Sequence, residues 1–307
     1  MTDTVLITGA SGFTGPYMAH VLASQGLNVV GTSLSGRPLG SDFSESFKLD
    51  LSDKAATFEL MERIRPDYIV HLAGISYVGH ADLAAFYSAN VVGAEHLFSA
   101  AIEAKLSLKS ILVASSANIY GTPNIDVAID ESISPHPINH YAISKLSMEF
   151  VARKFMEHLP IVIARPFNYI GYGQSLSFVV PKIVSTYAQG LSNIDLGSID
   201  VFRDFTDVRD TTDAYKRMLL EPKCVGEVFN VCSGNSVSVE QILGYMRDIS
   251  GIDMNVSTNP LFVRKHEIKK LQGSNKKVCE YTNWSPHHSM KDTLADMYQK
   301  FVANLER

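Results

Sequence analysis

The run Val5-Leu6-Ile7-Thr8-Gly9-Ala10-Ser11-Gly12-Phe13-Thr14-Gly15 constrains the fold more than any other stretch of this chain. Apolar, strand-forming residues enter a turn with glycine at every third position, and a helical pattern starts directly behind it. Glycines let the backbone come close to a bound group. The helix that follows offers unpaired N–H groups and the positive end of its dipole, so Gly9, Ser11, Gly12, Phe13, Thr14 and Gly15 are expected to cradle a diphosphate. The alternative reading is a tight turn that holds no ligand.

The same rhythm repeats through the first half. Val5–Ile7, Asn28–Thr32, Tyr68–Leu72, Ser110–Ser115 and Ile161–Arg165 read as strands, rich in Val, Ile and Leu and without polar alternation, as strands covered on both faces should be. Pro16–Gln25, Lys54–Ile64, Leu83–Glu103 and Tyr141–His158 read as helices. The prediction is an α/β fold, a doubly wound parallel sheet of Rossmann type, with ligands at the carboxyl ends of its strands. After Pro166 the pattern changes. A polar, Gly-rich stretch leads to a helix near Phe178–Gln189, two strand-like pieces and a helix over Ser238–Ile249, while Phe229-Asn230-Val231 is expected to return to the first sheet. The predicted division is therefore interleaved: 1–167 plus about 207–235 bind the dinucleotide, and about 168–206 plus 236–307 form a smaller substrate part.

Composition excludes several classes. Of 307 residues, 46% are hydrophobic, enough for a large core, and the net charge of −5 with no basic run argues against nucleic acid or an anionic membrane as partner. Cys224, Cys232 and Cys279 lack metal-ligand spacing, so reduced thiols and no metal are expected. A strand at residue 5 leaves no signal peptide, and no apolar run is long enough to span a bilayer, so the expected location is cytoplasmic.

A second site stands downstream. Tyr141-Ala142-Ile143-Ser144-Lys145 places a phenol and an ammonium one helical turn apart. An unperturbed phenol has a pKa of about 10, and a nearby ammonium is expected to lower it, so that Tyr141 can exchange a proton near neutral pH. Joined to a dinucleotide cradle, the pair implies nicotinamide-dependent chemistry on a carbonyl or an alcohol. The second strand ends without the acid that usually holds the ribose hydroxyls of NAD. It has Ser33, Ser35 and Arg37 instead, which can take a 2′-phosphate, so NADP is the expected cofactor, with NAD possible. Arg37 has the alternative of being a solvated loop residue.

With TGASGFTG (8–15), LDLSD (49–53), PDYIVHLAG (66–74), SSANIYG (115–121), YAISK (141–145), RPFNYIG (165–171), RDFTDVRD (203–210), FNVCSG (229–234) and NWSP (283–286), the chain resembles the extended short-chain dehydrogenase/reductases, which modify nucleotide sugars. The resemblance implies that Ser116, with Ser115 as neighbour, joins Tyr141 and Lys145 at the reacting oxygen. It places Asp50 and Leu51 by the adenine, Leu72, Ala73 and Gly74 under the diphosphate, and Asn90 in the cofactor site. On the substrate side it implies Asn168, Val180, Lys182, Arg203, Arg264 and Glu267, although Val263-Arg264-Lys265-His266-Glu267 departs from the family pattern. Family members that dehydrate sugars carry acids directly after the Ser/Thr. Here Ala117 and Asn118 follow Ser116, which leaves 4-keto reduction or 4-epimerisation.

GYGQS, FVVP and RDFTDVRD together most resemble members that reduce GDP-4-keto-6-deoxy-D-mannose. The implied activity is NADPH-dependent reduction of a nucleoside-diphosphate 4-keto-6-deoxyhexose, in deoxysugar synthesis for a surface polysaccharide, with Tyr141 as general acid. An NAD-dependent 4-epimerase is the runner-up, and a non-catalytic dinucleotide-binding regulator is the reading from another class. The helices 83–103 and 141–158 carry apolar or small residues on more than one face; in the family such helices pair into a four-helix bundle, so a homodimer is expected.

Overall fold

The computed structural model describes residues 2–123, 127–262 and 269–306. β1 (Thr4–Thr8) passes through the glycine turn into α1 (Thr14–Ala23), followed by β2 (Asn28–Ser33), β3 (Glu45–Lys48), α2 (Lys54–Ile64) and β4 (Tyr68–His71). α3 (Leu83–Tyr87) runs through a π-helical turn at Ser88–Val92 into α4 (Gly93–Glu103). Then come β5 (Ser110–Ala114), a 3-10 turn at Ala117–Tyr120, α5 (His140–Phe155) and β6 (Ile161–Pro166). The remainder holds β7 (Asn168–Ile170), α6 (Val179–Ala188), β8 (Asn193–Leu196), β9 (Phe202–Asp207), α7 (Val208–Leu220), β10 (Val228–Val231), β11 (Ser236–Ser238), α8 (Val239–Ser250), β12 (Asn255–Thr258), β13 (Lys270–Leu271), α9 (Lys276–Thr282) and α10 (Met290–Leu305).

The large sheet has seven parallel strands in the order β10-β6-β5-β4-β1-β2-β3. Its strands alternate between two apolar cores because successive residues face opposite ways. Val5, Ile7, Leu112 and Val162 meet α1, α7 and α9 through Met18, Leu22, Tyr215, Met218 and Val278. Leu6, Ile69, Ile111, Val113, Ile161 and Ile163 meet α2, α4 and α5 through Met61, Leu97, Phe98, Met148 and Ala152. This is the doubly wound α/β fold that the apolar runs predict, with β10 paired to β6 as the return of Phe229–Val231 requires.

A smaller layer lies beyond it. β11, β9 and β13 pair in that order, β7 adds to β9, and β12 pairs with β8. Apart from β13, whose Leu271 packs with Ile119, Tyr120 and Phe167, these strands share a third core with α6, α8 and α10, centred on Ile183, Tyr187, Phe205, Ile242, Met246 and Met297. Buried Asp204 ties the layer together. It accepts from Ser233 N at 2.8 Å, Ser233 Oγ at 2.6 Å, Gly234 N at 3.0 Å and Gly273 N at 3.2 Å.

The helix expected over 83–103 is divided by its π turn, and β3, α7, α9 and α10 were not anticipated from the pattern. Among the described residues, no helix is long and apolar enough to cross a membrane.

Candidate active site

The turn between β1 and α1 cannot tolerate side chains at two of its glycines. Gly9 has φ +69°, and a Cβ there would lie 2.6 Å from Ala73 Cα. A Cβ on Gly15 would lie 2.0 Å from the Ala10 carbonyl oxygen. The turn is thus packed on its protein side and bare on its ligand side, which fits a dinucleotide diphosphate at the start of α1. Leu72 and Ala73 are tied to the same place: Leu72 N donates to Thr8 O and Ala73 N to Thr8 Oγ1. Phe13 stacks on Tyr169 with ring centroids 5.9 Å apart, and Thr14 Oγ1 lies 2.9 Å from Tyr169 Oη.

At the end of β2, Ser33 Oγ accepts from Gly36 N and Ser35 Oγ from Arg37 N, so both hydroxyls shape the loop that carries exposed Arg37. Asp50 is exposed and caps its own turn through Ser52 N. Leu51 is buried in the core, and its carbonyl is bonded to His96 Nδ1 at 2.8 Å.

Asn90 needs a correction. It sits buried in the π turn, where Oδ1 accepts from Ile75 N at 2.9 Å and Nδ2 donates to Ser144 Oγ at 2.9 Å and Ile75 O at 3.3 Å. Three of its four hydrogen-bonding positions are taken by protein groups and the residue is fully buried, so it fixes the Gly74–Ile75 loop against α5 rather than facing a cofactor. The extra residue of the π turn is what aims it there. His71 is packed, as expected: it is fully buried, bonded to Thr8 Oγ1 at 2.8 Å, and held far below the usual imidazole range, at about 3, by burial and then by the Lys145 charge.

The reactive side chains converge from three elements. Asn139 caps α5 by accepting from Ala142 N at 2.9 Å, which fixes the first turn that carries Tyr141. Ser116 caps the 3-10 turn after β5. Tyr141 and Ser116 are both buried here, with the Phe86 ring 6.1 Å from that of Tyr141. Lys145, one turn on, donates to Ala114 O at 2.8 Å, and its ammonium lies 3.5 Å from where a Cβ on Gly74 would be.

The protonation balance differs from the expectation. Burial pushes the Tyr141 phenol up to about 12; the Ser116 hydrogen bond pulls it back in part, and Tyr169 raises it further. The ammonium therefore does not bring Tyr141 near neutrality in this state. Lys145 itself is drawn down to about 8 by burial, against the pull of Glu149. The site holds a proton-loaded phenol, the form that protonates an oxygen.

Ser115 also needs a correction. Ser115 and Ser116 are adjacent in extended chain and face opposite ways. The Ser115 hydroxyl is buried and donates to Glu149 Oε1 at 2.6 Å. Glu149 receives two bonds from Arg165, at 3.0 and 2.7 Å, and Arg165 reaches the Tyr120 hydroxyl at 2.8 Å. Ser115 thus belongs to a buried ion-pair network that anchors α5 to β6.

On the substrate side, Asn168 is exposed on β7, and Arg203 is half-buried on β9 with Nη1 donating to Phe202 O at 2.9 Å. The Val180 side chain is buried in the third core and cannot touch a ligand, a third correction that follows from its position on the inward face of α6. Lys182 Nζ donates to Asp195 O at 2.7 Å and sits 4.5 Å over the Phe262 ring, so its contacts are with β8 and the turn behind it. Arg264 and Glu267 lie outside the described residues. Two site neighbours were missed: Tyr169, whose only signal was its place in RPFNYIG, and Asn118, which donates to Ser116 from both its backbone and its side chain.

Residues 6–297 match a family model described as GDP-mannose 4,6 dehydratase. The chain is 32% identical over 302 residues to GDP-6-deoxy-D-talose 4-dehydrogenase of Aggregatibacter actinomycetemcomitans, covering 98% of this chain and 99% of the relative. It is 32% identical over 304 residues to GDP-6-deoxy-D-mannose reductase of Pseudomonas aeruginosa, covering 96% and 95%. Among solved structures, RMD from Pseudomonas aeruginosa complexed with NADPH is 30% identical with a TM-score of 0.87, over 99% of this chain and 100% of that one. A protein from Burkholderia cenocepacia J2315, described as a candidate epimerase, is 39% identical with a TM-score of 0.92, over 98% of both chains.

Proposed function

This chain belongs to the extended short-chain dehydrogenase/reductases, in the branch whose family model it matches over residues 6–297, and from that premise we propose that it reduces the 4-keto group of a nucleoside-diphosphate 4-keto-6-deoxyhexose with NADPH. The observation that carries this reading is the gathering of buried Ser116, Tyr141 and Lys145 at the ends of β5 and α5, with Ala117 and Asn118 rather than acids directly after Ser116. The two named relatives support the substrate class. Both act on GDP-6-deoxy sugars, and mannose and talose differ only at C4, so one 4-keto sugar, GDP-4-keto-6-deoxy-D-mannose, lies behind both names. The face of C4 that receives hydrogen, and so the product, is left to the measurement below.

When bound, the reduced nicotinamide supplies the hydride. The chain's residues handle the oxygen. Ser116 and Tyr141 hydrogen-bond the C4 ketone, and the Tyr141 proton passes to O4 as the carbonyl electron pair becomes a lone pair there. Lys145 stabilises the phenolate, which regains its proton from water. The sum is one hydride and one proton, so the sugar gains two hydrogens. Ser33, Ser35 and Arg37 favour the 2′-phosphate of NADPH, and Asn168, Arg203 and Arg264 are proposed to hold the sugar diphosphate. The same proposal assigns residues 1–167 and about 207–235 to the dinucleotide and the rest to the sugar nucleotide, in a cytoplasmic homodimer serving surface-polysaccharide synthesis. Exposed Val92, Ile143 and Phe150 are proposed to meet in its helix interface, which light scattering at micromolar concentration checks by giving twice the chain mass.

The test is to offer a panel of 4-keto-6-deoxy sugar nucleotides, follow NADPH absorbance and weigh the products. A gain of two hydrogens on a GDP-linked keto sugar supports the reading. Loss of water from GDP-mannose supplied with NADP would overturn it, because no acid after Ser116 can protonate the leaving hydroxyl. The second reading, a 4-epimerase, is favoured by the description of the Burkholderia cenocepacia relative. It requires interconversion of two sugar nucleotides with no net use of cofactor.

A further inference from the structure

The chain leaves the large sheet after β5, and Ser116 lies in the short stretch that follows, between Ser115 and Tyr120. Both ends of that stretch are held by one buried ion pair. At the near end, Ser115 Oγ donates to Glu149 Oε1 at 2.6 Å. At the far end, Tyr120 Oη accepts from Arg165 Nη1 at 2.8 Å and donates to Asn230 Oδ1 at 2.8 Å. Between these two pegs, Arg165 Nε and Nη2 donate to Glu149 Oε1 and Oε2 at 3.0 and 2.7 Å. Ser115, Tyr120, Glu149 and Arg165 are all buried.

Replacing such a pair by apolar side chains of the same volume commonly costs little, because desolvation offsets the attraction. What the pair supplies here is geometry. The guanidinium is planar, and each of its three nitrogens is aimed at a particular oxygen, two on Glu149 and one on Tyr120. Glu149 stands on α5 one turn beyond Lys145, which stands one turn beyond Tyr141. Lys145 adds its own bond to the same strand exit, donating to Ala114 O at 2.8 Å. The helix that carries Tyr141 is therefore the helix to which residues 114 and 115 are fastened.

We propose that Ser115, Tyr120 and the Glu149–Arg165 pair are positioning residues for Ser116: they hold the 115–120 stretch against α5, so that the Ser116 hydroxyl meets the substrate oxygen together with Tyr141. The inference rests on the 4-keto reductase reading and deepens it. None of the four touches substrate or cofactor in this account. Their effect on turnover runs through Ser116.

The test is a double-mutant cycle between the two serines. Ser115→Ala removes one bond and leaves the ion pair in place. Misplacing a reacting group by about 1 Å can cost about 10²-fold, so a smaller shift of Ser116 should lower kcat about tenfold. KM for NADPH should not change, because the glycine turn is untouched. In a Ser116→Ala background the hydroxyl being positioned is already gone, and adding Ser115→Ala should change kcat by less than about twofold. A merely structural role, or one carried by Glu149 to the Lys145 charge, would lower kcat by the same factor in both backgrounds and would overturn the proposal. So would a Ser115→Ala enzyme with the kcat of wild type. Tyr120→Phe repeats the cycle from the far peg. It leaves Arg165 Nη1 without that partner, so its melting temperature should fall further than that of Ser115→Ala, while its effect on kcat should likewise vanish without Ser116.

Hydrogen exchange reads the same fastening without turnover. The amides of Ile119 and Gly121 donate to Ser116 O and Asn118 O inside the held stretch. They should exchange about tenfold faster in Ser115→Ala, with the Ala142 amide, bonded to Asn139 at the start of α5, unchanged. Exchange at wild-type rates in the held stretch would remove the proposal. If wild type consumes no NADPH with any keto sugar, the reductase reading and this inference fall together; if wild type is active and the cycle is additive, only this inference falls.

Discussion

The large sheet and the layer beside it hold themselves together differently. β1, β2, β4, β5 and β6 are four to six residues long, pair in register along their length and have apolar side chains buried on both faces. β7, β11 and β13 have only two or three residues, too few for a backbone ladder to be stable alone. Their region is fastened instead by the buried Asp204 carboxylate, which gathers backbone donors from the stretch before β11 and from the residue after Gln272. Burial raises the pKa of Asp204, and its hydrogen bonds lower it again in part. A large part of a core can thus be written as a run of Val, Ile and Leu, whereas a substrate layer assembled from short pieces needs individual polar residues in fixed places.

Four measurements break or sharpen that contrast, taken from the largest effect down. The first lies where the two regions meet. Tyr141→Phe keeps the ring and removes the transferable proton, and turnover should fall about 10²-fold or more while NADPH affinity stays near wild type. Near-normal turnover would end the general-acid assignment.

The second sets one region against the other. Ile163→Ala, deep in the large sheet, should cost about 3 kcal/mol through lost burial and the cavity left behind. Asp204→Asn should cost about 2 kcal/mol, because its amide meets N–H donors with a donor of its own. Calorimetric unfolding gives both values. Sugar-nucleotide affinity should drop in Asp204→Asn with NADPH affinity unchanged, and a parallel loss of both ligands would show that the fastening is not local.

The third is the pH profile. Reduction requires the Tyr141 phenol to be protonated, which holds up to about 12, and the Lys145 ammonium to be charged, which holds up to about 8. The limiting loss is therefore on the alkaline side: kcat should be level below about 8 and fall about tenfold per pH unit above it, one proton being lost. Glu149 raises the Lys145 value, so Glu149→Gln should move that limb to lower pH. A limb that stays fixed would mean another group sets it.

The smallest effect belongs to an exposed residue. Arg37→Ala should raise KM for NADPH about fivefold, the size expected of a solvent-exposed charge pair, and leave KM for NADH unchanged. A wild-type preference for NADH would remove the basis for that comparison.

How far the sequence could be read follows the same divide. Strands covered on both faces announce themselves by composition, and Val5–Ile7, Tyr68–Leu72 and Ile161–Arg165 fall within a residue or two of β1, β4 and β6. β3 escaped notice because Glu45-Ser46-Phe47-Lys48 is an exposed edge with charges at both ends. α10 carried a sign that went unused, the Ser289-to-Asp292 capping box at its start. Tyr141 and Lys145 could be singled out from their spacing of one helical turn, whereas Ser116 was singled out only through the resemblance carried by SSANIYG. Ser115 was misassigned although the two-residue period of extended chain already sets it opposite to Ser116. The Asn118 amide and the Tyr169 hydroxyl were beyond reach, because their roles depend on how close separate elements come.

The late return of the chain to β10 also sets an order of assembly. During synthesis β6 leaves the ribosome well before β10 exists, and until then Ile161-Val162-Ile163-Ala164 is an uncharged open border of the sheet, the kind that recruits strands from neighbouring molecules. The opposite border, β3, carries its own charges from the start. β10 closes the vulnerable side only after β9 and α7 have been made, and α9 then covers it, with Tyr281 against Phe229 at 5.2 Å between ring centroids. A nascent chain that stalls between β6 and β10 is thus sticky along one side and inert along the other, and it is the later sequence that makes the sheet safe from self-association.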